Sequence, residues 1–239
     1  MKSPPLPQHL PCSIQEHLPQ DAVLIIGAGH FGERAANILC KKPDSLLYIV
    51  DNSRASLEAV RELPLERIFC DGVAFLVENF SMFESSNTII PAVPFHLAYE
   101  WLRKYLDHEL KIVPVEMPRQ TKLFLPFTWD AKDGSLLVSY ANFRCPDDCP
   151  EPADYCTVTH KKRGTPLYQR LRELDIDGFN VYVIRSRQIA PGLGGYKVDN
   201  LKKMLTKVRE KGAAKWLIGT ACKCHGVLNA MEVRTKQAS

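Results

Sequence analysis

The sequence predicts an α/β fold in which βαβ units build a parallel sheet over residues 21–113, followed by an α/β extension or second small domain over 114–239. Three observations predict it. Up to about residue 113, short apolar runs alternate with helical segments, the pattern of parallel strands joined by crossover helices. After Pro114, Pro118 and Pro126 that rhythm stops. A polar, proline-rich, cysteine-bearing loop at 144–162 then leads into a last βα stretch.

The apolar runs place strands at about 22–27, 46–50, 67–70, 88–91 and 111–113, with helices at about 30–42, 53–62, 72–80 and 94–107 between them. Two further strand-like runs follow, Lys122–Thr128 and Leu136–Asn142, joined through a hairpin connection at Asp130-Ala131-Lys132-Asp133-Gly134. Beyond the cysteine loop come a helix at 165–174, a strand at 179–185, a loop at Pro191-Gly192-Leu193-Gly194-Gly195, a helix at 198–211 and a strand at 214–219. In the helix at 198–211, Val198, Leu201, Leu205 and Val208 form one apolar stripe, with Lys202, Lys203, Lys207, Arg209 and Lys211 largely off it.

The 239 residues suffice for one large or two modest domains, and 45% hydrophobic with 24% charged content is ordinary for a soluble protein. No apolar run approaches the ~20 residues that span a bilayer. Residues 1–20 carry Pro4, Pro5, Pro7, Pro11 and Pro19 without an apolar signal core, so they read as an extended lead-in and the location as cytoplasmic. The net charge of +4 is unevenly spread: residues 161–239 hold 17 lysines and arginines against 6 acids. That surplus suits a solvated helix face or an acidic protein partner. A homo-oligomer is also compatible with the sequence, and nucleic acid is not expected.

Gly27-Ala28-Gly29-His30-Phe31-Gly32 follows the apolar run Val23-Leu24-Ile25-Ile26 and opens a helix. In such a turn the first glycine allows a tight bend, the second lets backbone approach a pyrophosphate, and the third lets helix pack on strand. The pyrophosphate would rest on free N–H groups at the helix N-terminus. Leu46-Leu47-Tyr48-Ile49-Val50-Asp51 supplies a second strand that ends in an acid about 20 residues on. That carboxylate can accept the adenosine ribose hydroxyls and would repel a 2′-phosphate, so the unit is expected to be Rossmann-like and to bind NAD rather than NADP. The candidate cofactor-binding residues are Gly27, Gly29, His30, Phe31, Gly32, Asp51, Asn52 and Asp71.

With these motifs, residues 21–110 resemble the NAD-binding TrkA-N (RCK-type) domains of potassium-uptake regulators. Those domains carry a glycine turn, an Asp after the second strand and an Asp-bearing turn after the third, matched here by Gly27–Gly32, Asp51 and Cys70-Asp71-Gly72. The same stretch is similar to the N-terminal part of saccharopine-dehydrogenase-like reductases, in which the fourth strand runs into a proline-containing turn and helix, as Ile89-Ile90-Pro91-Ala92-Val93-Pro94-Phe95-His96 does. The first resemblance implies a non-enzymatic, nucleotide-sensing regulatory subunit. An NAD-dependent oxidoreductase would instead need a proton donor near the nicotinamide, for which His96 is the best-placed candidate.

Five of the eight cysteines cluster: Cys145, Cys149 and Cys156 in the loop, and Cys222-Lys223-Cys224-His225 near the C-terminus. Cys12, Cys40 and Cys70 are scattered and read as small apolar residues. Thiolates on a proline-stiffened loop suit a soft metal, with a further ligand from Cys222, Cys224 or His225. An iron–sulfur cluster is favoured, although the C-x3-C-x6-C spacing matches no common ferredoxin pattern; zinc is the alternative. Disulfides and unligated thiols are the competing readings. The second glycine loop, Gly192-Leu193-Gly194-Gly195, could cradle a phosphate or be a plain flexible turn, and it lacks the P-loop spacing. The expected function is therefore an NAD(H)-binding protein with a cysteine-ligated metal centre and a redox or redox-sensing role. The alternatives are the regulatory subunit and an oxidoreductase with structural zinc.

Overall fold

The computed structural model describes residues 12–152 and 154–236, which divide into two compact units. One runs to Leu97 and includes Gly195–Lys202; the other takes Ala98–Gly194 and the chain from Lys203. Pro4, Pro5, Pro7 and Pro11 of the lead-in lie outside the described residues.

The first unit follows the expected order: β1 (Val23–Ile26), α1 (His30–Leu39), β2 (Leu47–Asp51), α2 (Arg54–Ala59), β3 (Glu66–Phe69), α3 (Gly72–Glu78) and β4 (Thr88–Pro91). The strands stand in the order β3-β2-β1-β4, each pair parallel. Continuous apolar runs suit strands covered on both faces. Accordingly Leu24, Ile25 and Ile26 of β1 and Ile49 and Val50 of β2 are fully buried. The sheet is mixed rather than wholly parallel, because Tyr196 and Lys197 pair antiparallel with Ile89 and Thr88. Side chains set two of the helix starts: Ser53 Oγ accepts the Ser56 N–H at 3.2 Å, and Asp71 accepts the Ala74 N–H at 2.9 Å.

Part of the lead-in belongs to this unit. Leu18 is buried and its N–H donates to the Met82 carbonyl at 3.0 Å. Cys12 and Cys70, read from the sequence as isolated small apolar residues, form a disulfide. Spacing alone carries no sign of a bond between residues 58 apart. Beside it, the buried Asn79 accepts the Ile14 N–H at 2.7 Å and donates to the carbonyls of Cys12 at 2.6 Å and Phe75 at 2.8 Å. Asn79→Ala is expected to cost about 2 kcal/mol in urea unfolding, since a buried amide's partners lose their hydrogen bonds together. Unchanged stability would show that these bonds leave the segment unanchored.

The second unit contains α4 (Leu97–Leu106), β5 (Leu110–Pro114), α5 (Arg119–Leu123), β6 (Phe127–Asp130), β7 (Leu136–Ser139), α6 (Leu167–Arg172), β8 (Phe179–Arg185), β9 (Arg187–Ala190), β10 (Leu193–Lys197), α7 (Val198–Lys211), β11 (Ala214–Ala221) and β12 (His225–Thr235), of which α4, β10 and α7 begin or end in the first unit. Its sheet runs β6-β7-β12-β11-β8, with β5 also pairing β12. Only β11 and β8 are parallel; the other pairs are antiparallel. Leu167 and Leu171 of α6 pack into one core with Val138, Val183, Leu217 and Leu228 from the sheet.

Three expectations are corrected here, and one strand is added. Residues 111–113 do form a strand, but β5 pairs antiparallel with β12 rather than closing the parallel sheet. The run Lys122–Thr128 is split: Arg119–Leu123 is helical and the strand begins only at Phe127. Hydrophobicity without alternation did not separate these two. The Pro191–Gly195 segment is no open loop, because Leu193–Lys197 is a strand. The last strand, β12, was not anticipated; its middle, Leu228–Met231, is buried on both faces and so lacks period-two alternation. The stripe Val198, Leu201, Leu205 and Val208 of α7 is buried as expected.

Candidate functional sites

At the glycine turn each position has its own constraint. Gly27 sits at φ +102°, and a Cβ there would meet the Ala92 carbonyl oxygen at 2.5 Å. A Cβ on Gly32 would fall on the Gly27 carbonyl. Gly29 differs: φ is −68°, and a Cβ would meet no described atom within 4 Å. It is also the N-cap of α1 and gives that helix no side-chain cap.

Asp51 closes on this turn from β2. Its Oδ2 accepts the Ala28 N–H at 2.6 Å and its Oδ1 accepts the Ser53 N–H at 2.6 Å. Ala28 follows β1, whose neighbours are β2 on one side and β4 on the other, so the turn lies where strand order reverses. In open α/β sheets that reversal leaves a crevice outside the carboxyl ends of the strands. His30 and Phe31 meet edge to face with centroids 5.2 Å apart, and Phe31 remains half exposed. Asn52 is exposed, and Asp71 serves as the cap of α3. His96 is buried between β4 and α4. Arg54 stacks its guanidinium on Phe69 at 4.4 Å.

In the second unit both cysteine groups come together. The Glu151 carboxylate accepts the Lys223 N–H at 2.7 Å and its carbonyl accepts the Lys223 ammonium at 3.2 Å, tying the loop to the β11–β12 turn. Cys145 Sγ then lies 3.5 Å from His225 Nε2. Burial pushes the Cys145 thiol up, and the neighbouring Cys149 and Cys156 push it further. Cys149 Sγ is 4.0 Å from Thr157 Oγ1, beside Cys156.

Two turns fold amides back onto a sulfur. Cys222 Sγ accepts the N–H groups of Cys224 at 3.4 Å and His225 at 3.3 Å, while burial pushes its thiol up to about 12. Cys156 receives the Thr159 hydroxyl and the amides of Thr159 and Val158, which hold its thiol low. Arg163, which no motif marks, donates to Cys224 Sγ and to the Tyr155 carbonyl. Burial outweighs that guanidinium and keeps the Cys224 thiol high; burial also holds His225 below its ordinary value. Among the described residues, no three His, Cys, Asp or Glu side chains are converged as ligands of one ion.

The second glycine loop serves this cluster. Gly192 has φ +70°, a Cβ on it would fall on the Asp147 carbonyl, and its N–H donates to the Cys149 carbonyl at 2.8 Å. Gln188 donates to the same carbonyl at 2.7 Å. Gly192 is therefore a packing contact for the cysteine loop rather than a free turn. Gly194 and Gly195 lie within β10.

These features define an α/β protein with a mixed sheet built on parallel βαβ units in one unit and a Cys/His cluster on a largely antiparallel sheet in the other. Residues 98–234 match the family AF_1314_C, described as the C-terminal domain of an uncharacterized protein, and the chain belongs to that family. The match begins at the residue where the second unit begins. An uncharacterized protein of Archaeoglobus fulgidus is 30% identical over 225 residues, covering 87% of this chain and 98% of the relative. No solved structure matches the chain. Among the described residues no helix is long and apolar enough to cross a membrane.

Proposed function

We propose that this is an NAD(H)-binding protein of Rossmann type that also carries a cysteine-ligated metal centre in a redox-sensing role. The observation that carries the nucleotide reading is the contrast within the glycine turn: Gly27 and Gly32 are held by packing, whereas the backbone at Gly29 faces open space at the start of α1. Nothing within the fold asks for a glycine at position 29, and a pyrophosphate laid on the helix amides does. Asp51, one oxygen on the turn and one on Ser53, keeps lone pairs for ribose hydroxyls.

The metal reading is supported by the donor chemistry. Thiols from two separated segments and one imidazole meet, and the turn after Cys156 holds that sulfur against the amides of Val158 and Thr159. A nicotinamide moves a hydride, a two-electron unit, and an iron–sulfur centre moves single electrons, so exchange between them needs a mediator such as flavin. The sequence has no flavin motif. The centre accordingly reports redox state or holds the loop rather than passing electrons to the nucleotide.

Titration of NADH and NADPH by fluorescence tests the nucleotide reading. NADH is expected to bind at least about tenfold more tightly, because Asp51 repels the 2′-phosphate. Asp51→Asn should narrow that preference by weakening NADH and relieving NADPH. Equal affinities in the native protein would remove Asp51 from nucleotide recognition.

A further inference from the structure

We propose that Cys145, Cys149, Cys156 and His225 bind one tetrahedral divalent ion of the zinc class, while Cys222 orients His225 and Cys224 stays outside the coordination sphere, paired with Arg163. This rests on the reading that the cysteine loop holds a metal, and it selects the ligands and the kind of centre.

The imidazole decides between the two C-terminal thiols. His225 turns Nε2 toward Cys145 at 3.5 Å and Nδ1 toward Cys222 at 4.0 Å. The two sulfurs therefore lie against different nitrogens of the ring. Cys222 Sγ is further engaged by the amides of Cys224 and His225. A metal-bound histidine commonly uses its second nitrogen on a neighbour that fixes the ring, and Cys222 stands in that position.

Cys224 is committed elsewhere. Its sulfur accepts from the Arg163 guanidinium, whose Nε is fixed on the Tyr155 carbonyl at 3.0 Å. Cys145 lies on the Nε2 side, with Cys149 and Cys156 as its neighbours, and the loop backbone that carries all three is held by its own hydrogen bonds. The Cys149 carbonyl takes bonds from Gly192 and Gln188, and the Cys156 carbonyl accepts the His160 N–H at 2.8 Å.

Three thiolates and a neutral imidazole form a donor set of structural zinc sites. Around a dication they leave one net negative charge, which Arg163 faces. An all-cysteine iron–sulfur cluster would need a fourth thiolate, whereas in this assignment Cys222 stands against the second nitrogen of the ring and Cys224 against Arg163.

The test uses the full chain, with metal content, labile sulfide and the cobalt spectrum as readouts. Stoichiometric zinc without labile sulfide is expected, and cobalt should give thiolate charge-transfer and tetrahedral d–d bands. Cys145→Ser, Cys149→Ser, Cys156→Ser and His225→Gln should each weaken cobalt binding more than about 100-fold, with Cys222→Ser costing about tenfold, as loss of an orienting partner does. Cys224→Ser should retain the metal, and His225→Cys should restore it with a red-shifted spectrum, separating lost ligation from lost folding. Retained affinity in His225→Gln, or loss in Cys224→Ser, overturns the assignment. Iron with labile sulfide overturns the mononuclear site but leaves the metal-centre reading standing. Protein that takes up neither zinc, cobalt nor iron overturns both.

Discussion

Gly32→Ala is expected to destabilise the first unit by about 3 kcal/mol, whereas Gly29→Val costs at most about 1 kcal/mol, through the N-cap, and removes NADH binding. The two glycines lie three residues apart in one turn and look equivalent in the sequence. Their surroundings separate them. A methyl at position 32 would coincide with the Gly27 carbonyl, so α1 or the turn must move, and overpacking against backbone costs in this range. At position 29 the φ of −68° is open to any residue and a Cβ has free space around it. A valine there therefore affects the fold little and stands where the pyrophosphate would lie. Thermal unfolding and NADH titration on the two variants check this. A loss of stability in Gly29→Val as large as that in Gly32→Ala, or unimpaired NADH binding by it, would mean that the turn serves packing alone.

Reducing the Cys12–Cys70 disulfide should cost about 4 kcal/mol. The bond joins residues 58 apart, and the chain-entropy estimate for a loop of that length gives this magnitude. Urea unfolding with and without reductant reads the effect, and Cys12→Ser should behave like the reduced protein and be insensitive to reductant. The loss should add to that of Asn79→Ala by less than the sum, since both hold the same segment. A midpoint indifferent to reductant would show the two sulfurs unpaired in solution.

The first half of the fold was legible because β1 and β2 are covered on both faces and the helices after β2 and β3 carry side-chain caps. Val23–Ile26 and Leu47–Asp51 read as strands from apolarity alone, and Ser53 and Asp71 mark helix starts in the expected places. The second half was less legible for particular reasons. β5 looks like a fifth parallel strand because a strand's sequence carries its burial but not its partner, and its partner β12 lies more than 100 residues away. Lys122–Phe124 is apolar enough for a strand, yet Pro118 opens a helical turn there. The glycine run at 192–195 signalled flexibility, whereas Gly192 is small so that the cysteine loop can pass over it.

The candidate sites divide the same way. The glycine turn and Asp51 are local in sequence and so stand out together as one motif. The thiols of the cysteine cluster were visible as residue types, but the roles of Cys222, Cys224 and His225 depend on which way the ring and Arg163 point, and neither is encoded in spacing. Arg163 had no signal beyond being one basic residue among many.

The most direct test of the nucleotide reading is calorimetric titration of the full chain with NADH, run in parallel on Gly29→Val. Saturable binding to the native chain, absent from a folded Gly29→Val variant, is the predicted result. No heat from the native chain, or the same isotherm from both proteins, would contradict it.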